Sequence, residues 1–149
     1  MEGMGKYTGK TAVITGGSTG IGFGTAQALV TEGAEVLITG RSEPSLEAAR
    51  RELGPRAHVL RSDSASLSDI AALGAHVERT FGALDLVFIN AGYCKIEPML
   101  EVSAEEYDKT FAINTRGVFF GVQRLAPLVR EGGAIVFTPR SPTPSVTRA

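Results

Sequence analysis

The chain has 149 residues, 43% of them hydrophobic and 21% charged, a balance that predicts one compact globular unit with a core of its own. Fifteen Lys and Arg against sixteen Asp and Glu leave a formal charge of -1, so no basic field exists to hold nucleic acid or an anionic membrane, and neither partner is expected. Cys94 is the sole cysteine, which rules out an intrachain disulfide and a cysteine-rich zinc site; with no apolar run of signal-peptide or membrane-span length, a cytoplasmic location is expected.

Thr-Ala-Val-Ile-Thr at 11–15 is a short apolar run that ends in a glycine cluster, Gly16, Gly17, Gly20, Gly22 and Gly24, the punctuation of a strand entering a tight turn. A helix follows, with Ile21, Ala28 and Leu29 expected on its buried face and Gly33 closing it in a left-handed cap. Residues 35–39 read as a buried strand, and the next helix sets Leu46, Ala49 and Leu53 on one side before Gly54 ends it. The third strand is 57–60. Ser66 and Asp69 then stand at capping-box spacing ahead of a helix whose face runs through Ile70, Leu73, Val77 and Phe81 to Gly82.

Residues 84–89 are nearly all apolar, as a strand covered on both faces must be. Ser103 and Glu106 repeat the capping-box spacing and open a helix expected to run through Tyr107, Phe111, Asn114, Val118, Val122 and Leu125 to about residue 130. The fifth strand is read at 134–137. Strands alternating with helices demand right-handed crossovers, so the expected fold is α/β: a Rossmann-type doubly wound parallel sheet of five strands, order 3-2-1-4-5, over residues 1–138. From Pro139 three prolines fall within six residues and periodicity stops, so 139–149 is read as an irregular tail.

In such a sheet, ligands bind outside the carboxyl ends of the strands. The polar exits are residues 15–22, 39–41, 62–63, 90–92 and Thr138. At the first, Gly16, Gly20 and Gly22 let a pyrophosphate approach backbone N–H groups at a helix start, where the helix dipole favours an anion. Glycines in such a turn also serve plain geometry, so this loop alone leaves both readings open. No Lys-Ser/Thr follows it, which excludes a nucleoside triphosphate P-loop. The second exit ends Thr39-Gly40-Arg41 without the carboxylate that would accept hydrogen bonds from the ribose of NAD. Arg41 either faces solvent or meets the 2′-phosphate of NADP, and the missing carboxylate favours NADP over NAD.

Thr15-Gly-x-x-x-Gly-Ile-Gly22 after the first strand, Asp63 after the third, Asn90-Ala-Gly92 after the fourth and Asn114 inside the long helix together resemble the short-chain dehydrogenases/reductases, from about Lys10 to Thr138. The resemblance implies an oxidoreductase that moves a hydride between a nicotinamide and a carbonyl or alcohol carbon of a small substrate, with a Tyr as general acid/base. It implies that Gly16, Ser18, Gly20, Ile21 and Gly22 line the pyrophosphate and adjoining ribose. Asp63 and the backbone of Ser64 would hold the adenine amino group, and Asn90, Ala91 and Gly92 would form the floor beneath the nicotinamide-side ribose. Asn114 would sit at a helix irregularity and position a water in a proton relay.

The resemblance also requires a Lys four residues after the catalytic Tyr, lowering its pKa, and a Ser after the fifth strand. Tyr7, Tyr93 and Tyr107 are followed at that spacing by Thr11, Glu97 and Phe111, so no Tyr-x-x-x-Lys exists, and Ser141 is embedded in Pro-x-Ser-Pro as a tail residue. The sequence therefore reads as a truncated or frame-shifted member with little or no activity alone. The alternatives are a non-catalytic NADP(H)-binding module, or a fragment whose uncovered apolar faces drive self-association or homo-oligomerisation. Tyr93 and Cys94 either border a substrate pocket or make ordinary loop contacts. His58 and His76 lack a second ligand at metal spacing, so no metal is expected.

Overall fold

The computed structural model describes residues 5–138, and the Pro-rich stretch expected at 139–149 lies outside them. Five strands, β1 (Thr11–Thr15), β2 (Glu35–Gly40), β3 (Ala57–Arg61), β4 (Leu84–Ile89) and β5 (Val129–Phe137), form one sheet in the order β3-β2-β1-β4-β5. Every pairing is parallel. The helices α1 (Gly20–Thr31), α2 (Glu43–Leu53), α3 (Leu67–Thr80), α4 (Ala104–Phe111) and α5 (Val118–Leu125) cross between them. The expected Rossmann-type architecture and strand order are both present.

Period-two alternation along β1, β2 and Leu86–Ile89 of β4 divides the core in two, and Leu84 joins the second side across the register shift. Ala12, Ile14, Val36 and Ile38 face one side, where Ala26 of α1 and Leu46, Ala49 and Leu53 of α2 cover them. Val13, Leu37, Leu84, Val87 and Ile89 face the other, against Leu73 and Val77 of α3 and Leu125 of α5. Full burial of a Val, Leu or Ile stabilises the fold by about 1.5–3 kcal/mol each before entropy is subtracted. The two sheet faces thus hold the strand ends in fixed register.

The caps follow the sequence. Ser42, Ser66 and Ser103 accept from the backbone N–H three residues on and open α2, α3 and α4. Gly33, Gly54 and Gly82 take positive φ just past the ends of α1, α2 and α3.

Three expectations are corrected. Ile21 and Ala28 are exposed, and α1 instead buries Gly22 and Ala26 because these small residues let the helix lie close to the sheet. The long helix is interrupted: a wide π-helical turn at Ala112–Gly117 separates α4 from α5 and changes the phase of the apolar stripe, leaving Tyr107 and Phe111 exposed. The fifth strand begins at Val129 rather than 134, with a register shift opposite Leu84/Leu86 that absorbs Glu131-Gly132-Gly133.

Candidate functional site

Among the described residues the buried polar side chains are Thr15, Thr39, Ser62 and Asn90, and each stands at the carboxyl end of a strand. Burying a polar group is costly unless it is hydrogen-bonded, so their concentration on one sheet edge marks where the fold gives up apolar packing. A cleft of about 490 Å³ opens there, lined by Gly16, Ser18, Thr19, Gly20, Gly40, Arg41, Ser42, Ser45, Ser62, Asp63, Ser64, Asn90, Ala91, Gly92 and Ile113. Its size falls in the range of small-molecule sites.

The centre of the edge is a hydrogen-bond lattice across three strands. The Thr15 hydroxyl accepts from the backbone N–H of Asn90 and of Ala91, both at 3.0 Å. The Asn90 amide donates to the Gly16 carbonyl at 3.0 Å and accepts from the Thr138 hydroxyl at 3.1 Å. One buried amide therefore ties the exits of β1, β4 and β5 together. Gly16 has φ +64°, and a Cβ there would lie 3.0 Å from the Ala91 Cα. At Gly22 a Cβ would meet the Gly16 carbonyl and stand 2.6 Å from the Asn90 amide nitrogen, so both positions need glycine for close approach. Gly20 differs: its φ is +57°, but nothing lies within 4 Å of a built Cβ, and it faces open cleft.

On the β2–β3 side the loop after β3 is held by carboxylates. Asp69 accepts from the backbone N–H of Asp63 at 2.8 Å and from the Ser66 hydroxyl at 3.0 Å. These bonds, in that order and with help from Arg61, hold its carboxyl below the ordinary range. Asp63 in turn accepts from the Ala65 N–H through one oxygen, leaving the other without a protein donor among the described residues. Arg41 is exposed at the cleft rim and has no acidic partner among the described residues.

On the β4–β5 side Asn114 lies within the π-helical turn, at the irregularity the resemblance implied. Its amide oxygen accepts from the Tyr93 N–H at 2.8 Å and its amide nitrogen donates to the Tyr93 carbonyl at 2.6 Å. Lys109 sits over the Tyr93 ring at 3.9 Å. The segment after Asn90-Ala91-Gly92 is thereby pinned to the helix, with Cys94 exposed beside it.

Nearly all the sequence-derived candidates share this cleft: Gly16, Ser18, Gly20, Arg41, Asp63, Ser64, Asn90, Ala91 and Gly92 line it. Gly22 packs beneath it, Ile21 is 61% exposed outside its lining, and Asn114 lies outside its lining, hydrogen-bonded to the Tyr93 backbone. Thr19 falls within the strand exit at 15–22, whereas sequence reasoning missed Ser42, Ser45 and Ile113. Ser42 was legible as the cap before Glu43-Pro44, and Ser45 as its partner one turn on; their hydroxyls are 3.0 Å apart. Ile113 had no signal, because only the π-helical turn aims it into the cleft. No group of three or more His, Cys, Asp or Glu is placed to hold a metal ion among the described residues. No helix there is long and apolar enough to cross a membrane.

A parallel sheet with a glycine turn at the start of α1 and polar residues gathered on its carboxyl edge is a dinucleotide-binding arrangement. The family model for short chain dehydrogenase matches residues 10–141, and the chain belongs to that family. An oxidoreductase of Sarocladium schorii, asL5, is 39% identical over 140 residues, covering 93% of this chain and 56% of that protein. The crystal structure of a short-chain dehydrogenase/reductase, glucose/ribitol dehydrogenase, from Brucella melitensis superposes with TM-score 0.85 at 29% identity, over 89% of this chain and 57% of that one. A short chain dehydrogenase from Burkholderia cenocepacia, solved in complex with NADP, gives TM-score 0.83 at 33% identity, over 89% and 56%. The chain thus spans little more than half the length of these relatives.

Proposed function

We propose that this chain forms the cofactor-binding part of an NADP(H)-dependent short-chain oxidoreductase acting on a carbonyl or alcohol. The observation that carries the reading is the single polar edge at which the glycine turn, Arg41, Asp63 and Asn90 meet. When bound, the nicotinamide supplies or accepts the hydride. The protein's part is to bind and orient it.

In this reading the turn at Gly16, Gly20 and Gly22 lets the pyrophosphate reach the N–H groups at the start of α1, beside the Ser18 hydroxyl, with Ile21 shielding the outer side. Arg41 takes the 2′-phosphate: its guanidinium has no acidic partner among the described residues, Ser42 and Ser45 line the cleft beside it, and no carboxylate at the end of β2 competes. The NADP found in the Burkholderia cenocepacia relative is consistent with that choice. The open oxygen of Asp63, with the Ser64 backbone, receives the adenine amino group. Asn90, Ala91 and Gly92 support the nicotinamide-side ribose on a floor kept rigid by Thr15 and Thr138.

Asn114 acts through Tyr93 by holding the segment that borders the nicotinamide end. Its amide keeps one N–H and one lone pair free for a water. The 149 residues contain no Tyr-x-x-x-Lys, so the general acid/base is not among them, and the chain as it stands binds and orients NADPH without efficient turnover.

The test is a fluorescence titration of the purified chain with NADPH and NADH, joined to an assay against a panel of ketones. Saturable NADPH binding at least about tenfold tighter than NADH is expected, as befits a charge-assisted phosphate contact, with no turnover above background. Absence of NADPH binding at millimolar concentration would overturn the reading.

A further inference from the structure

The wide turn at Ala112–Gly117 touches both ends of the cleft at once. Toward the β4 side, Asn114 makes its two hydrogen bonds to the Tyr93 backbone. Toward the β3 side, the Arg116 guanidinium donates to the Ala65 carbonyl at 3.1 Å. Gly117, fully inside the packing, lies so close to the Ser64 carbonyl that a Cβ would overlap it. Ile113, from the same turn, lines the cleft between those two contacts. In a regular α-helix residues three apart lie nearly on one face. The wider turn spreads Asn114 and Gly117 around the axis, so they meet different loops.

The loop after β3 is consequently gripped from two directions. Asp69 of α3 holds the Asp63 N–H, Asp63 closes on the Ala65 N–H, and Arg116 takes the Ala65 carbonyl on the far side. Apart from that contact and the Gly117 packing, the hydrogen bonds of Ser64 and Ala65 among the described residues reach only their neighbours in sequence. Backbone that must present a recognition edge gains affinity by being ordered beforehand.

We infer that the π-helical turn is a spacer that sets the adenine-side loop relative to the nicotinamide-side loop, with Arg116 and Gly117 as positioning residues for the adenosine half of the cofactor. The inference rests on the proposal that the cleft takes NADP(H), and it assigns a split. Arg116 and Gly117 govern the adenosine half, while Asn114 governs the other end.

The experiment uses adenosine 2′,5′-bisphosphate, which carries only the adenosine half, beside whole NADPH, with calorimetric titration of the wild-type chain, Arg116→Met, Gly117→Ala and Asn114→Ser. Arg116→Met is expected to weaken both ligands by the same factor, roughly five- to tenfold, the range for losing one hydrogen bond that orders a loop. Asn114→Ser is expected to weaken NADPH while leaving adenosine 2′,5′-bisphosphate unchanged. Gly117→Ala should follow Arg116→Met; should it fail to fold, the exposed Arg116 still decides. Unliganded melting curves accompany each titration, because a merely structural role lowers the melting temperature without this split. Wild-type chain that binds neither ligand overturns the cofactor reading and this inference with it. Wild-type binding with adenosine 2′,5′-bisphosphate affinity unaltered in Arg116→Met, or equally reduced in Asn114→Ser, overturns this inference alone.

Discussion

Gly20 and Gly22 stand two residues apart in one turn and answer to different constraints. Gly20 needs its positive φ but has empty space beside it, so Gly20→Ala carries only the left-handed backbone cost, about 1–2 kcal/mol. Gly22 is buried where a Cβ would push on the Gly16 carbonyl and the Asn90 amide, so Gly22→Ala adds overpacking of about 1–3 kcal/mol at the centre of the three-strand lattice. Urea denaturation of the two variants checks this: Gly22→Ala should lose the more stability, and the reverse order would contradict the crowding argument. Arg41 is exposed at the rim, so under the proposed reading its substitution is expected to change cofactor selectivity rather than stability. Arg41→Asp replaces a donor to the 2′-phosphate with an acceptor for free ribose hydroxyls. NADPH affinity should fall by about tenfold or more and NADH affinity should rise, in parallel titrations. An unchanged ratio would remove Arg41 from cofactor choice.

Between elements, α3 and the edge strand β3 each carry a histidine, His76 and His58, and their packing is expected to weaken as pH falls. The His58 ring meets Phe81 edge-on at 5.4 Å, and its Nε2 is buried without a hydrogen-bond partner among the described residues. His76 of α3 is held below the ordinary histidine range, first by burial, then by Arg79 and by His58. The neutral form is thus favoured in the folded chain. As pH falls through about 6.5, the unfolded chain takes up a proton at His76 that the folded chain resists, and stability declines. His76→Gln removes that proton uptake, so its melting temperature should change less between neutral pH and pH 5 than that of the wild type. Parallel slopes would show that α3 and β3 do not carry the effect.

Elements with a strict period were legible in the sequence. The strands β1 to β4, the serine caps at Ser66 and Ser103 and the glycines ending α1, α2 and α3 follow from short apolar runs, capping-box spacing and backbone freedom alone. Crossover handedness implies a doubly wound parallel sheet, the strand order 3-2-1-4-5 is what the Rossmann likeness implies, and the strand exits mark the edge where the cleft lies. The misreadings share a cause: contacts remote in sequence. The small residues Gly22 and Ala26 are buried where α1 meets the sheet, with Phe23, Leu29 and Val30 packed around them, and Glu131-Gly132-Gly133 is strand only through its pairing with β4. The bond from Thr138 to Asn90 and that from Arg116 to Ala65 span 48 and 51 residues and leave no local trace.

At the scale of the molecule, the sheet ends in two edge strands, β3 and β5, and β5 is the more exposed of the two. Among the described residues β5 pairs with β4 only, and Val136 and Phe137 next to that edge are 45% and 50% exposed. Along α4 and α5, Tyr107, Phe111 and Phe119 are 48–62% exposed, with Tyr107 and Phe111 stacked on each other. An open strand edge is a template for another strand, and clustered aromatic surface gains free energy when it leaves water. The isolated 149-residue chain should therefore self-associate as concentration rises, observable as a growing sedimentation coefficient. Val136→Lys places a charge beside the strand edge, and Phe119→Glu places one on the helical face; neither residue lines the cleft. Each should shift association to higher concentration while NADPH affinity stays within about twofold, since no cofactor contact changes. The variant with the larger shift identifies the surface that drives assembly, because a strand-edge contact is indifferent to Phe119 and a helix-face contact is indifferent to Val136. A wild-type chain that sediments as a monomer at every concentration would mean that these apolar groups do not reach a partner copy.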